Sequence, residues 1–290
     1  MNSSRTHQAY LDYLQEMREE EGPRPTAFGT PGRGSMAGQC SRQIGFTILD
    51  VEESDPITET TLLAFHIGTA LHSMVQASMQ HVWQMDLEYP VDLRPLGYPI
   101  SGHADGVYVD LVSDKEFVST VVWELKSKTG YGFKLARNSG HPEKNDIAQV
   151  AMYALGVPLA KWIHLVYIAK ESSYGKNAVK AGQTLEWILD LDEPCPGQDG
   201  MTPRQIGSAE ATRITAIASE TLKDGMLPER FIPDYGVVDF VPAPESRDDH
   251  WRCRYCTFNA LCATLRPGQQ YLKDIILRRK GTSERLTETL

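Results

Sequence analysis

Residues 101–127 read SGHADGVYVDLVSDKEFVSTVVWELKS, and the alternation in this stretch decides the fold. Val107, Val109 and Leu111 before the turn formers Ser113, Asp114 and Lys115, and Val121, Trp123 and Leu125 after them, stand two apart. That pattern predicts two antiparallel strands, about 104 to 112 and 117 to 126. Glu124 and Lys126 then share one strand face, because side chains alternate with a period of two. Val121, Val122 and Trp123 mark the same strand as largely buried. A Glu and a Lys at its end therefore need either solvent or a purpose. A turn centred between Asp114 and Lys115 sets a register that puts Asp105 opposite Glu124. Opposed residues have Cβ atoms roughly 5 Å apart, close enough for two carboxylates to share one divalent cation. Without a cation such a pair repels, and one pKa rises.

Outward from the hairpin the period changes. Residues 145 to 156 have helical spacing, ended by Gly156 and Pro158. WIHLVYIAK (162–170) and the alternating QTLEWILDLD (183–192) read as two more strands. Upstream, Leu63, Ile67, Leu71, Met74, Val75, Met79 and Val82 recur at helical spacing and predict a helix over 60 to 85. Residues 204 to 224 read as a further helix, and 228 to 249, with four prolines, as irregular. The first 19 residues suggest a short amphipathic helix, followed to residue 38 by a Gly-, Pro- and Arg-rich loop or flexible arm. Strand, strand, helix, strand, strand predicts an α/β chain whose central mixed sheet has helices packed against it.

Composition narrows the function classes. The 290 residues carry 29 basic and 38 acidic side chains, a formal charge of -9. That excludes a uniformly basic coat but leaves room for a local basic channel, since phosphate contacts need clustered charge rather than a positive total. Five cysteines are too few for a disulfide-scaffolded secreted module. No uncharged apolar run reaches the roughly 20 residues of a membrane-spanning helix. The opening MNSSRTHQAYLDYLQEM lacks the basic region and apolar core of a secretory signal. The expectation is a soluble cytoplasmic protein without a membrane partner.

The chemistry follows from the carboxylates. Oxygen ligands suit Mg2+ or Mn2+, and a site of this kind supports phosphodiester hydrolysis, in which the metal polarises a phosphoryl oxygen and acidifies a bound water. Lys126, on the same face, would orient that water or stabilise charge building on the phosphate. Gln149 and Tyr153 are four apart on the 145–156 helix and share a face, free to meet a phosphate or to hold the lysine. His72 lies beside the apolar stripe of the early helix, a candidate nitrogen ligand. Lys128, Lys134 and Arg137 follow the strand closely, with Tyr131 and Phe133 between them, and Lys170 extends the basic surface. Cations mixed with aromatics suit a nucleic-acid strand held by phosphate contacts and stacking.

Cys253, Cys256 and Cys262 have the spacing C-x2-C-x5-C. Three thiols this close suit a soft metal or a cluster. A fourth ligand must come from Cys40 or Cys195, and both a Zn2+ site and a [4Fe-4S] cluster accept four thiolates.

Taken together, His72 in GTALHSMVQ, Asp105 in GHADGVYVD, Glu124 and Lys126 in WELKS, and Gln149 with Tyr153 in QVAMY resemble the PD-(D/E)XK nuclease superfamily. More narrowly the chain is similar to the RecB-type exonuclease branch, which includes the CRISPR-associated and AddB-like iron–sulfur nucleases. The resemblance covers about residues 40 to 265, with Ala104 standing where the family often has a proline. It implies a restriction-endonuclease-like α/β core, with Mg2+ or Mn2+ held by His72, Asp105, Glu124 and the backbone carbonyl of Leu125. It gives Lys126 the positioning of water, and Gln149 and Tyr153 the holding of DNA or of the lysine. It places Cys40 as fourth ligand of a [4Fe-4S] cluster with Cys253, Cys256 and Cys262, joining N- and C-terminal segments, and leaves Cys195 unassigned.

The implied organisation is an N-terminal helix and flexible arm (1–38), a cluster-ligand and helical region (39–100), the nuclease core (101–193), a helical and cysteine region (194–265) and a charged tail (266–290). The implied function is a metal-dependent DNA exonuclease acting at single-stranded ends, in a prokaryote or phage, with recombination or CRISPR-type proteins as candidate partners. A structure-specific endonuclease or repair factor using the same site, and a non-catalytic DNA-binding iron–sulfur protein, are the alternatives.

Overall fold

The structure is a computed structural model and describes residues 28–55, 57–111, 118–229, 253 and 256–265, with 9, 10, 12, 13 and 16. In chain order the elements are β1 (Gly32–Arg33), α1 (Ser41–Ile48), α2 (Glu59–Trp83), β2 (Asp86–Asp92), β3 (Ile100–Leu111) and β4 (Val118–Lys128). There follow α3 (Gly130–Ser139), α4 (Lys144–Gly156), β5 (Ala160–Ala169), β6 (Thr184–Asp190), α5 (Pro203–Lys223) and α6 (Asn259–Thr264).

The six strands form one mixed sheet in the order β1-β3-β4-β5-β6, with β2 also paired to β3. The central hairpin is as its alternation predicts, slightly longer at its outer ends. Its pairs run from Gly106 opposite Trp123 to Leu111 opposite Val118, the register that a turn between Asp114 and Lys115 demands. The turn itself lies outside the described residues. β4 and β5 are parallel, so the chain needs a crossover between them, and α3 with α4 supply it.

Three layers result. On one face α4 buries Ile147, Ala148, Val150, Ala151 and Met152 against Val122, Ile163, Leu165 and Tyr167 of the sheet. α5 covers α4 from outside. A Cβ added at Gly207 of α5 would meet the Ala151 backbone at 2.7 Å, so glycine sets how closely these helices approach. On the other face α2 lays Leu71, Val75 and Met79 on Trp123, Leu125, Val166 and Ile168. Trp123 is 1% exposed, and truncating so large a side chain in a core costs about 3–5 kcal/mol. α2 starts at Thr58, whose side chain accepts from the Thr61 N–H, and stops where Gln84 turns left-handed at φ 50.

The structure corrects the sequence reading in three places. Residues 28–38 are no flexible arm: β1 pairs in parallel with Ile100 and Ser101, and Met36 is 2% exposed. β2 is an additional strand, so the sheet begins well ahead of residue 101. α3 is a helix where only a basic stretch was read. The amphipathic helix expected over 1–19 falls almost wholly outside the described residues, and the charged tail entirely so. Among the described residues no helix is long and apolar enough to cross a membrane.

Candidate active site

The sheet delivers its carboxylates to one cleft of about 880 Å3, lined among others by His72, Glu88, Asp105, Glu124, Lys126, Gln149, Tyr153 and Lys170. Glu124 is 2% exposed. Its Oε1 accepts from Lys126 Nζ at 2.7 Å, while its buried Oε2 has no partner. Lys126 Nζ also donates to Gln149 Oε1 at 2.9 Å, and Gln149 Nε2 donates to the Tyr153 hydroxyl at 3.4 Å. The four residues chosen from two separate motifs thus form one chain of contacts. Asp105 Oδ2 accepts from the Leu125 N–H at 2.8 Å and lies 3.6 Å from His72 Nδ1.

The charges in this cleft are mutually dependent. Burial raises the Asp105 pKa, partly opposed by Lys126 and by the Leu125 N–H, and Glu88 adds to the rise. Burial also raises Glu124, with the Asp105 charge adding and Lys126 opposing. Two carboxylates pushed up together are short of positive charge. For Lys126 burial acts downward, but Glu124, Asp146 and Asp105 outweigh it and raise its pKa. The same neighbours favour its ammonium form. His72 is lowered, chiefly by burial, which favours the neutral imidazole that a metal ligand requires. Tyr153 is raised, first by burial and then by Glu124, so its phenol keeps its proton.

Sequence reasoning missed several residues that build this cleft. Gln76 of α2 donates to Glu88 Oε1 at 2.8 Å and to the Asp105 carbonyl at 3.0 Å. Its only signal was a position four residues after His72, one turn along the same helix face. Gly34 and Gly102 accommodate Tyr153: a Cβ there would meet the ring at 2.1 and 2.8 Å. Arg33 of β1 also lines the cleft, from the segment read as an arm.

Among the described residues, no three His, Cys, Asp or Glu side chains are already arranged around one metal position. What fits a divalent cation is the donor chemistry: the orphaned Glu124 Oε2, the half-buried Asp105 carboxylate and a neutral imidazole face the same space.

No protein-family model matches the chain, and no curated protein does. Among solved structures it is similar to the crystal structure of SSO0001, at 15% identity and a TM-score of 0.43, over 89% of this chain and 98% of that one. It is also similar to an alkaline exonuclease from Laribacter hongkongensis, at 12% identity and a TM-score of 0.35, over 64% of this chain and 89% of that one. Likenesses at this level leave the activity to the chemistry of the cleft.

The basic residues divide into two groups. Lys170 lines the cleft. Lys128 is held by Asp146 at 2.7 Å and Glu143 at 3.0 Å and sits 4.5 Å over the Tyr167 ring. Its ammonium is thus satisfied inside the protein, which is a poor state for gripping phosphate. Lys134 donates to the Lys176 carbonyl and Arg137 to the Asn177 carbonyl, so both brace the loop after β5 from half-buried positions on α3.

The cysteines also separate. Cys256 and Cys262 pack with Phe46, Phe258 and Leu261, the two phenyl rings lying 5.2 Å apart. Burial pushes the Cys256 thiol up to about 11; the Phe258 N–H opposes this, and the nearby Cys40 and Cys262 thiols and Asp55 add to it. Cys40, directly before α1, is thereby close to a cysteine 216 positions later. Cys253 and Cys256 are joined by a backbone turn, Cys256 N–H to Cys253 C=O at 3.0 Å. Cys195 stands apart in the main core, 4% exposed. None of the five is in a disulfide.

Proposed function

We propose that this chain is a divalent-metal-dependent deoxyribonuclease that hydrolyses phosphodiester bonds, working as an exonuclease at single-stranded ends. The observation that carries the reading is Lys126 held at once by Glu124 and Gln149, beside a buried carboxylate oxygen that has no partner. His72, Asp105, Glu124 and the Leu125 carbonyl are the residues that would hold Mg2+ or Mn2+. When bound, the ion supplies Lewis-acid activation of the phosphate and acidification of water.

The chain's own groups do the rest. Lys126, whose ammonium form its carboxylate neighbours favour, points a donor at the phosphate and stabilises the negative charge that grows there. Gln149 fixes the direction of that donor, and Tyr153 fixes Gln149. Lys170 and Arg33, on the cleft lining, neutralise neighbouring phosphates. Cys40, Cys253, Cys256 and Cys262 are proposed to hold a [4Fe-4S] cluster that ties the segment before α1 to the segment around α6; Zn2+ is the alternative occupant. The grouping of Cys40, Cys256 and Cys262 apart from Cys195 supports a shared site.

The test is digestion of end-labelled linear and covalently closed circular DNA in Mg2+ and Mn2+. Wild type should degrade the linear substrate and leave closed circles intact, and Glu124→Ala and Lys126→Ala should each lose at least roughly 10²-fold in rate. Cut circles would indicate the endonuclease reading instead. Full activity in both variants would remove the proposed site. Iron, sulfide and zinc analysis of anaerobically purified protein, with its absorption spectrum, decides the cysteine site; one zinc and no iron would refute the cluster.

A further inference from the structure

We infer that Glu88 is a third carboxylate of this same cation site, a ligand contributed by the strand that sequence reasoning did not see. The inference rests on the reading of the cleft as a divalent-metal site. It begins with register. Across β2 and β3, Leu87 lies opposite Gly106 and Tyr89 opposite Ala104, which leaves Glu88 facing Asp105. Across β3 and β4, Gly106 lies opposite Trp123, so the next positions outward are Asp105 and Glu124. Three neighbouring strands, spaced about 4.8 Å apart, therefore carry a carboxylate at the same level. All three line the one cleft.

Arg33 and Lys170 also line the cleft, but the direct contacts to the row are mostly neutral. Lys126 is committed to Glu124 Oε1 at 2.7 Å. The donor to Glu88 is the neutral amide of Gln76, and Asp105 Oδ2 has a backbone N–H at 2.8 Å and the His72 imidazole at 3.6 Å. Independently of the row, Glu124 Oε2 is buried, aimed into the same space and without a partner. A carboxylate oxygen in that state is stabilised by a proton, an added donor or a cation. The backbone is bent to deliver Glu88: its φ is 48, a left-handed conformation that costs a non-glycine residue on the order of 1 kcal/mol or more. Gln76 holds both the Glu88 carboxylate and the Asp105 carbonyl, so the first two members of the row are positioned by one side chain from α2.

The test is equilibrium binding of Mn2+ to the full-length protein by titration calorimetry, without DNA. Glu88→Gln keeps an oxygen for the Gln76 amide and removes only charge. Asp86→Asn, an exposed change on the same strand, controls for the general field. Wild type is expected to bind Mn2+, Glu88→Gln to bind it roughly tenfold or more weakly, and Asp86→Asn to match wild type. Equal affinity in Glu88→Gln and wild type, with binding lost in Glu124→Gln, overturns this inference alone. Equal weakening in Glu88→Gln and Asp86→Asn overturns it too, as a field effect. No Mn2+ uptake by wild type overturns it together with the reading of the cleft.

Discussion

A glycine stands at two places where Tyr153 touches the surrounding chain. The ring leaves no room for a Cβ at Gly34 or Gly102, where it would approach to 2.1 and 2.8 Å. Gly34→Ala should therefore cost about 1–3 kcal/mol in a urea melt, and Tyr153→Leu added to it should recover much of that loss. Unchanged stability would mean the ring does not fill that space. The acidic pair makes a prediction about pH. Asp105 is pushed from an ordinary 3.8 to about 6 and Glu124 from 4.5 to about 7. Both folded values lie above the unfolded ones, so the folded state binds more protons across that interval, and metal-free stability falls as pH rises from about 4 to 7. A cation that takes the place of those protons should raise Tm by more at pH 8 than at pH 5. An equal Mn2+-induced rise at both pH values would contradict this. Lys128 shows where residue-level reading stops: its spacing after Lys126 was visible, but Asp146, Glu143 and Tyr167 reach it only through the crossover.

The hairpin was legible as an element because strand-forming residues run up to both sides of one turn, and a buried sheet tolerates no one-residue slip. β2 was not. Pro90 interrupts it, and Glu88 turns left-handed within it, so the period-two signal breaks at the residue of greatest interest. α3 was hidden by Gly130 and Gly132, poor helix formers; what starts it is the Thr129 side chain accepting from the Gly132 N–H at 3.1 Å. The closeness of α4 and α5 was equally invisible, since it depends on a glycine opposite a helix backbone. Gly207→Val should force these helices apart and cost about 1–3 kcal/mol, measured by chemical denaturation. Wild-type stability in that variant would show that the contact yields freely.

At the scale of the whole molecule, the segment between α1 and α2 reaches the far end of the chain. Asp55 N–H donates to the Thr257 carbonyl at 2.9 Å. The Asp55 carboxylate accepts from the Ala260 N–H at 2.7 Å, and Ser54 Oγ from the Leu261 N–H at 3.0 Å. α6 has no cap from its own N-cap side chain, so two residues about 205 positions away satisfy its first turn instead. Asp55→Ala should speed hydrogen exchange across 256–265 at least several-fold while leaving the hairpin protected. Unchanged exchange there would mean the cysteine segment is held by its apolar contacts alone.

The cleft lining runs from Arg33 to Lys170 and draws on β1, α2, β2, β3, β4 and α4. No N-terminal portion of the chain shorter than that contains all of it. During synthesis the pieces leave the ribosome one after another, and the carboxylates on the hairpin emerge before the helix that orients Lys126. Because Gln149 and Tyr153 both come from α4, the contacts that fix Lys126 form only once α4 has packed on the sheet.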